Sequence, residues 1–249
     1  KDTGIKMLNT IDEKTKLLES HGIDYLVVKK FTKEFSRLSA QDYVRDILVN
    51  TLHVKHIIIG YDHHFGRNRT ANINDLKAYG EIYDFKVTEI SAQDINEVTI
   101  SSTKIRNALL EGNIKKANTF LGYNFMLSGT VVKGKGLGKK IDFPTANIKV
   151  KESYKLIPKN GVYVVKSEID SKPIFGMMNI GIKPTVNGKT QTIEVHLFEF
   201  SEDIYGHQIE VEILERLRDE QKFDSVDDLK IQLNQDRINS KQFLNQNND

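Results

Sequence analysis

MLSGTVVKGKGLGKKIDFPTAN, residues Met126–Asn147, is where the chain changes its rhythm. Met126–Lys133 reads as a strand and then gives way to glycines at every second position, Gly134, Gly136 and Gly138. Further on, Gly161–Glu168, Pro173–Ile180, Thr190–Phe200 and Gln208–Leu214 read as strands separated by Gly, Asn and Pro turns. Strands this close together, with no helix between them, predict a small antiparallel barrel or sandwich. One helix closes the chain, from about Ser225 to Leu244, and the polar Asn245–Asp249 reads as a frayed tail.

Upstream of Gly122 the pattern is different. Asp24–Val28 (DYLVV) and Lys55–Ile59 (KHIII) are short, apolar and β-branched, as buried parallel strands tend to be. Between them Ser39 reads as the N-cap of a helix reaching about Leu52, with Val44, Ile47 and Leu48 as its apolar stripe. Asn74–Tyr83 reads as a helix, Phe85–Ile90 as a strand, and Ser101–Leu110 as a helix with Gly112 as its C-cap. Alternating strand and helix predicts a parallel α/β sheet. The boundary is expected near Phe120–Asn124, giving two domains, 1–121 and 122–249.

Composition narrows the chemistry. At 249 residues, with 39% hydrophobic and 28% charged, the chain has the apolar mass for cores of its own. A formal charge of +2 gives no global reason to expect nucleic acid or an anionic membrane as partner. The absence of cysteine excludes disulfides, thiolate metal sites and cysteine nucleophiles, and fits a cytoplasmic setting. No apolar run approaches the length of about 20 residues that spans a bilayer as a helix. The sequence opens on Lys1, so a leader ahead of it stays an open matter.

The Gly134–Asn147 stretch carries the chemistry. Its glycines and Lys133, Lys135, Lys139 and Lys140 combine close backbone approach with positive charge, which a polyphosphate requires. Read alone, such a loop is also a hairpin tip with solvated lysines. Thr145 and Asn147 stand two residues apart and so point the same way from an extended chain. Their neutral oxygens are suitable partial ligands for Mg²⁺, which keeps its waters and takes further oxygens from phosphates. In TIEVHLF, Ile193, Val195 and Leu197 share one face, so Glu194 and His196 project from the other.

Taken together, five segments resemble the riboflavin kinase family: Phe143–Asn147, Gly161–Tyr163, Asn179–Thr185, Glu194–Phe200 and Leu217–Phe223, in that order. The resemblance runs from Gly122 to about Arg237 and implies a six-stranded antiparallel barrel with a C-terminal helix. It further implies that Thr145 and Asn147 hold Mg²⁺ and the ATP phosphates, and that the loop with Gly134, Lys135, Gly136, Gly138 and Lys139 folds over the nucleotide. Glu194 would be the catalytic base that takes the proton of the riboflavin hydroxyl, with Arg218 and Phe223 as flavin-binding candidates. The family commonly has Arg and then Leu-Gly ahead of FPTAN. Lys139 and Ile141-Asp142 stand there in this chain, which keeps the charge but loses the planar fork of arginine.

The front part resembles the FMN adenylyltransferase module often fused to this kinase, a Rossmann-like nucleotidyltransferase α/β domain. GYDHHFG (Gly60–Gly66) and ISSTKIR (Ile100–Arg106) carry that likeness, with Phe31-Thr32 and Glu34-Phe35 upstream. It implies an adenylyltransferase site with Asp62, Phe65, Ser102, Thr103 and Arg106, the last three at the N-terminus of a helix where phosphates bind readily. The family's H-x-G-H signature is nowhere in the sequence, so the module is expected to be incomplete at its start and to form little FAD. The partners implied are riboflavin, FMN and ATP. Two other readings of the residues remain: a kinase with an inactive front domain, and a non-catalytic flavin or nucleotide binder. Asp62-His63-His64 also occurs in metal phosphoesterases, but further Asp and His ligands cannot be assembled around it; His53 and His56 read as surface residues.

Overall fold

The computed structural model describes residues 4–91, 94–95, 98–134, 136–185 and 188–247. The chain forms two compact units, Lys1–Ile23 with Ser101–Asp249, and Asp24–Ile100.

The larger unit is built on six strands: β5 (Met126–Val132), β6 (Ala146–Lys149), β7 (Gly161–Ile169), β8 (Lys172–Thr185), β9 (Gly188–Leu197) and β10 (Gln208–Arg218). They close into a barrel in the order β10-β5-β6-β9-β8-β7, and every pairing is antiparallel. The expected six-stranded barrel is therefore present. The four-residue β6 is the strand that pattern reading passed over, because it follows the glycine loop directly. Burial alternates along β5 and β10 as it must when one face meets a core. Phe125, Leu127, Tyr163, Met178, Ile180 and Ile213 are among the fully buried side chains.

β10 is bulged against β7 between Ile213 and Glu215 and again between Arg216 and Arg218. A bulge re-aims the side chains that follow it, and here Arg218 reaches across to the closing helix α7 (Val226–Gln246). Ser225 caps α7 by accepting from the Asp228 amide at 3.0 Å.

The start of the chain is tied to the barrel. Helix α1 (Ile11–Ser20) opens with a capping box in which Thr10 and Glu13 satisfy each other's amides. Glu13 and Lys155 form a wholly buried ion pair at 2.5 Å. The other Glu13 oxygen accepts from the Ser128 amide at 3.0 Å, and the Lys155 ammonium also donates to the Leu8 carbonyl and lies 4.3 Å from the Phe125 ring centre. Burial holds the Lys155 ammonium below its ordinary proton affinity, with Glu13 opposing that shift. Helices α4 (Ser102–Glu111) and α5 (Ile114–Leu121) complete this unit; Asn118 of α5 donates to the Ile213 carbonyl of β10 at 2.9 Å.

The smaller unit pairs β1 (His56–Gly60) in parallel with β2 (Lys86–Ile90). Helix α3 (Ile73–Tyr83) packs beside them. A short α2 (Ala40–Asp42), capped by Ser39 as expected, continues into the wider π-helical turns of Tyr43–Thr51. β3 (Asp94–Ile95) and β4 (Val98–Thr99) form a brief antiparallel ladder. Val44, Phe65, Ala71, Leu76 and Phe85 make the core. One expectation is corrected here. Asp24–Val28 is outside any strand: among the described residues no neighbour supplies the ladder bonds an apolar run needs, and Tyr25 and Val28 are 90% and 63% exposed. No helix among the described residues is long and apolar enough to cross a membrane.

Candidate active site

Strand register builds the site. Asn147 of β6 and Asn179 of β8 both pair with Glu194 of β9, so three polar side chains meet on one rung of the barrel. They stand on the face opposite Ile193, Val195 and Leu197, which are buried as the alternation predicts. Thr145, just before β6, places its hydroxyl 3.4 Å from Glu194 Oε2. On the other carboxylate oxygen, Oε1, the Lys183 ammonium donates a close hydrogen bond. Lys183 escaped the sequence reading because it occupies a variable position inside NIGIKPT; only the pairing of β8 with β9 brings it to Glu194.

A cavity of about 270 Å³ opens beside this rung. Gly136, Gly138, Thr145, Asn147 and Glu194 line it, together with Arg218 and Phe223. Ile141, Phe143 and Met177 form its apolar wall, packed against Leu229 and Leu233 of α7. The glycines are needed for close approach: a Cβ on Gly138 would fall 2.2 Å from the Phe143 carbonyl oxygen, and one on Gly134 2.2 Å from Asn147 Nδ2. Beyond Gly136 the loop winds through the single turn α6 (Leu137–Lys140). Lys139 is exposed and lines a neighbouring hollow that shares Thr145 with the cavity. Lys135 lies outside the described residues.

α7 is tied down beside the cavity by charged contacts. Arg218 grips the buried Asp236 through two hydrogen bonds of 2.8 and 2.6 Å, with Gln232 also donating to Asp236. Its guanidinium lies 5.9 Å from the Phe223 ring centre. Lys230 pairs with Asp142 at 2.9 Å, and Arg237 lies 5.2 Å from the Phe143 ring centre. His196, projected toward the same face as Glu194, is buried instead between Phe143 and Phe198. Its Nδ1 lies 2.8 Å from the Pro144 carbonyl, so Nδ1 carries the proton that is donated. Burial lowers its pKa below the usual histidine value, and the charge of Arg237 adds to that.

The front motifs fall in both units. Asp62 is exposed just past the C-terminal end of β1, where ligands of parallel sheets collect. Phe65 belongs to the core of the smaller unit, its ring 6.0 Å from that of Tyr43. In the larger unit Ser101 caps α4, leaving Ser102 and Thr103 exposed on its first turn. Arg106 is committed through Nε to the Lys6 carbonyl at 2.8 Å.

Known proteins can now be set beside this geometry. Residues 121–244 match the family model of riboflavin kinase, and residues 1–104 that of FAD synthetase. The bifunctional riboflavin kinase/FMN adenylyltransferase of Buchnera aphidicola is 42% identical over 236 residues, 94% of this chain and 75% of that protein. Its counterpart in Escherichia coli is 38% identical over 238 residues, 95% of this chain and 75% of that protein. A crystal structure described as a macrolide-efflux protein from Streptococcus pneumoniae is 34% identical with a TM-score of 0.84, covering 94% of this chain and 75% of its own. That description concerns that protein; the fold is what the two share. With both family models matched in order and relatives aligned over nearly its whole length, the chain belongs to the bifunctional riboflavin kinase/FMN adenylyltransferase family.

Proposed function

We propose that the chain transfers the γ-phosphoryl group of ATP to the 5′-hydroxyl of riboflavin, giving FMN and ADP, in the cavity between the glycine loop, β9 and α7. The observation that carries this reading is the convergence of Thr145, Asn147 and Glu194 on one cavity that the glycine loop, Arg218 and Phe223 also line. Riboflavin is a flat aromatic ring system, apolar along its dimethylbenzene part, on a polyol, and the wall of Ile141, Phe143, Met177, Leu229 and Leu233 suits that apolar part. The Arg218 guanidinium, fixed by Asp236, frames the flavin together with Phe223.

Glu194 then faces the hydroxyl and takes its proton as the hydroxyl oxygen bonds to the γ-phosphorus and the bond to the β-phosphate oxygen breaks. The backbone of Gly134, Gly136 and Gly138 approaches the phosphates, with Lys135 and Lys139 supplying charge. Thr145 and Asn147 offer neutral oxygens beside a carboxylate, a donor set that fits Mg²⁺ completed by phosphate oxygens and water. When bound, the ion neutralises the charge that develops on the transferring phosphoryl group.

The division by activity follows 1–121 and 122–249. In the full-length parent the front part serves adenylyl transfer from ATP to FMN; Asp62 at the end of β1 and Phe65 beneath its turn are its candidates in the smaller unit, and Ser102, Thr103 and Arg106 at the start of α4 its candidates in the larger. The near-neutral net charge supports small-molecule partners rather than nucleic acid, and a cytoplasmic setting supplies them. The test is chromatography of the chain incubated with riboflavin, ATP and Mg²⁺. FMN should appear only with all three; its absence overturns the kinase reading.

A further inference from the structure

Lys183 has no part in the reading above, yet it is the cation that touches the proposed base. Its ammonium donates to Glu194 Oε1, while Oε2 is the oxygen beside the Thr145 hydroxyl. The two carboxylate oxygens therefore have different surroundings, and the carboxylate is held by one and offered by the other. The Glu194 side chain is 20% exposed and that of Lys183 44%, and both line the cavity. A pair this exposed adds little to stability. Strands β8 and β9 are in any case already joined over ten consecutive residue pairs. Holding the strands together is not what this pair is for.

Resting on the reading of Glu194 as base, we propose that Lys183 is a positioning residue for phosphoryl transfer. It fixes the Glu194 carboxylate so that Oε2, on the Thr145 side, meets the flavin hydroxyl. A glutamate on a strand face has three rotatable torsions, and a base must come within hydrogen-bond reach of its proton, about 2.6–3.2 Å. The remaining neighbours on the rung, Asn147 and Asn179, carry no charge that could replace the ammonium. Lys183 in turn sits near the end of β8, opposite Thr190, so its backbone is anchored while its long side chain spans to the carboxylate.

The experiment is a double-mutant cycle on the full chain with Lys183→Met, Lys183→Arg, Glu194→Gln and the double variant Lys183→Met/Glu194→Gln. FMN formation is followed in single turnovers, and riboflavin and MgADP affinities by titration. Lys183→Met should lower the rate of the chemical step roughly 10–100-fold, the scale of a misplaced reacting group. Both affinities should stay within about twofold, and Lys183→Arg should recover most of the rate. In the Glu194→Gln background the same methionine change should cost less than about twofold, because there is no base left to position. Additive losses, a loss confined to KM, or an arginine variant no better than methionine would each overturn the role. If Glu194→Gln keeps its rate, the assignment of the base itself fails. If Glu194→Gln is slow while Lys183→Met is not, only the positioning role falls.

Discussion

The barrel and the Asp24–Ile100 unit hold their candidate site residues by unequal means. In the barrel every strand is paired on both sides, so no edge is left and each residue's neighbours are set by register. Glu194, Asn147 and Asn179 meet because three strands are locked side by side. In the smaller unit β1 and β2 pair over five residues and carry a five-residue buried core. Ile58, Val27, Val28 and Phe31 remain largely exposed, and Asp62 hangs on the turn past a strand with a single described neighbour. Two strands alone are marginal. Precision in a site follows from how fully its supporting elements are themselves constrained, and on that measure the barrel is the stronger half.

The largest expected effect tests whether phosphoryl transfer belongs to the barrel alone. Glu194→Gln should slow FMN formation roughly 10²–10⁴-fold, the scale of a lost general base. Asp62→Asn, in the other unit, should leave it within about twofold, as a residue with no partner in the phosphoryl-transfer site does. Steady-state assays of both variants decide it. An Asp62 variant as slow as the Glu194 variant breaks the comparison.

The next effect concerns stability and the unexpected place of α1. Lys155→Met leaves the Glu13 carboxylate buried with no cation, a change that costs about 3–5 kcal/mol in comparable pairs. Leu76→Ala removes a fully packed side chain from the smaller core, at about 2–5 kcal/mol. Hydrogen exchange read by mass spectrometry separates the two. The lysine change should speed exchange in β5 through β10, and the leucine change only in β1, β2 and α3. Loss of protection in both units from either variant would show that they unfold as one.

Particular residues show what could be read in the sequence and what could not. Most barrel strands announce themselves by β-branched runs between Gly, Asn and Pro turns, and the helix caps Ser39 and Gly112 stand where expected. β6 is four residues long, too short for a period to show. Helix α1 was missed although Thr10 and Glu13 spell a capping box, since its apolar stripe is weak and its anchor, Lys155, is 142 residues away. Asp24–Val28 misled because an apolar β-branched run records a preference, while a strand also requires a neighbour. In the site, Thr145, Asn147 and Glu194 were legible from motif and spacing. The Lys183 and Asp236 contacts were not, because they exist only once strands and α7 are assembled.

The smallest effect is one of acidity, and it lies in the barrel. His196 is held between Phe143 and Phe198, its Nδ1 proton given to the Pro144 carbonyl, and Arg237 lies over the neighbouring Phe143 ring. Burial is the chief cause of its lowered pKa, the Arg237 charge adds to it, and the Pro144 hydrogen bond opposes it. The unfolded chain takes up this proton near the ordinary histidine value, about 6.5. The folded chain takes it up only at lower pH, so below about 6.5 the unfolded state binds more protons and stability rises with pH. Acidifying from neutrality should therefore weaken the barrel as pH falls through that value, the loss levelling off once the folded imidazole is charged as well. Urea midpoints measured at closely spaced pH values, with β-sheet circular dichroism as the probe, should trace this descent, and His196→Gln should flatten it. A descent that survives in the glutamine variant would assign the acid sensitivity to other groups, and the buried histidine would then be a packing residue with no charge to take on.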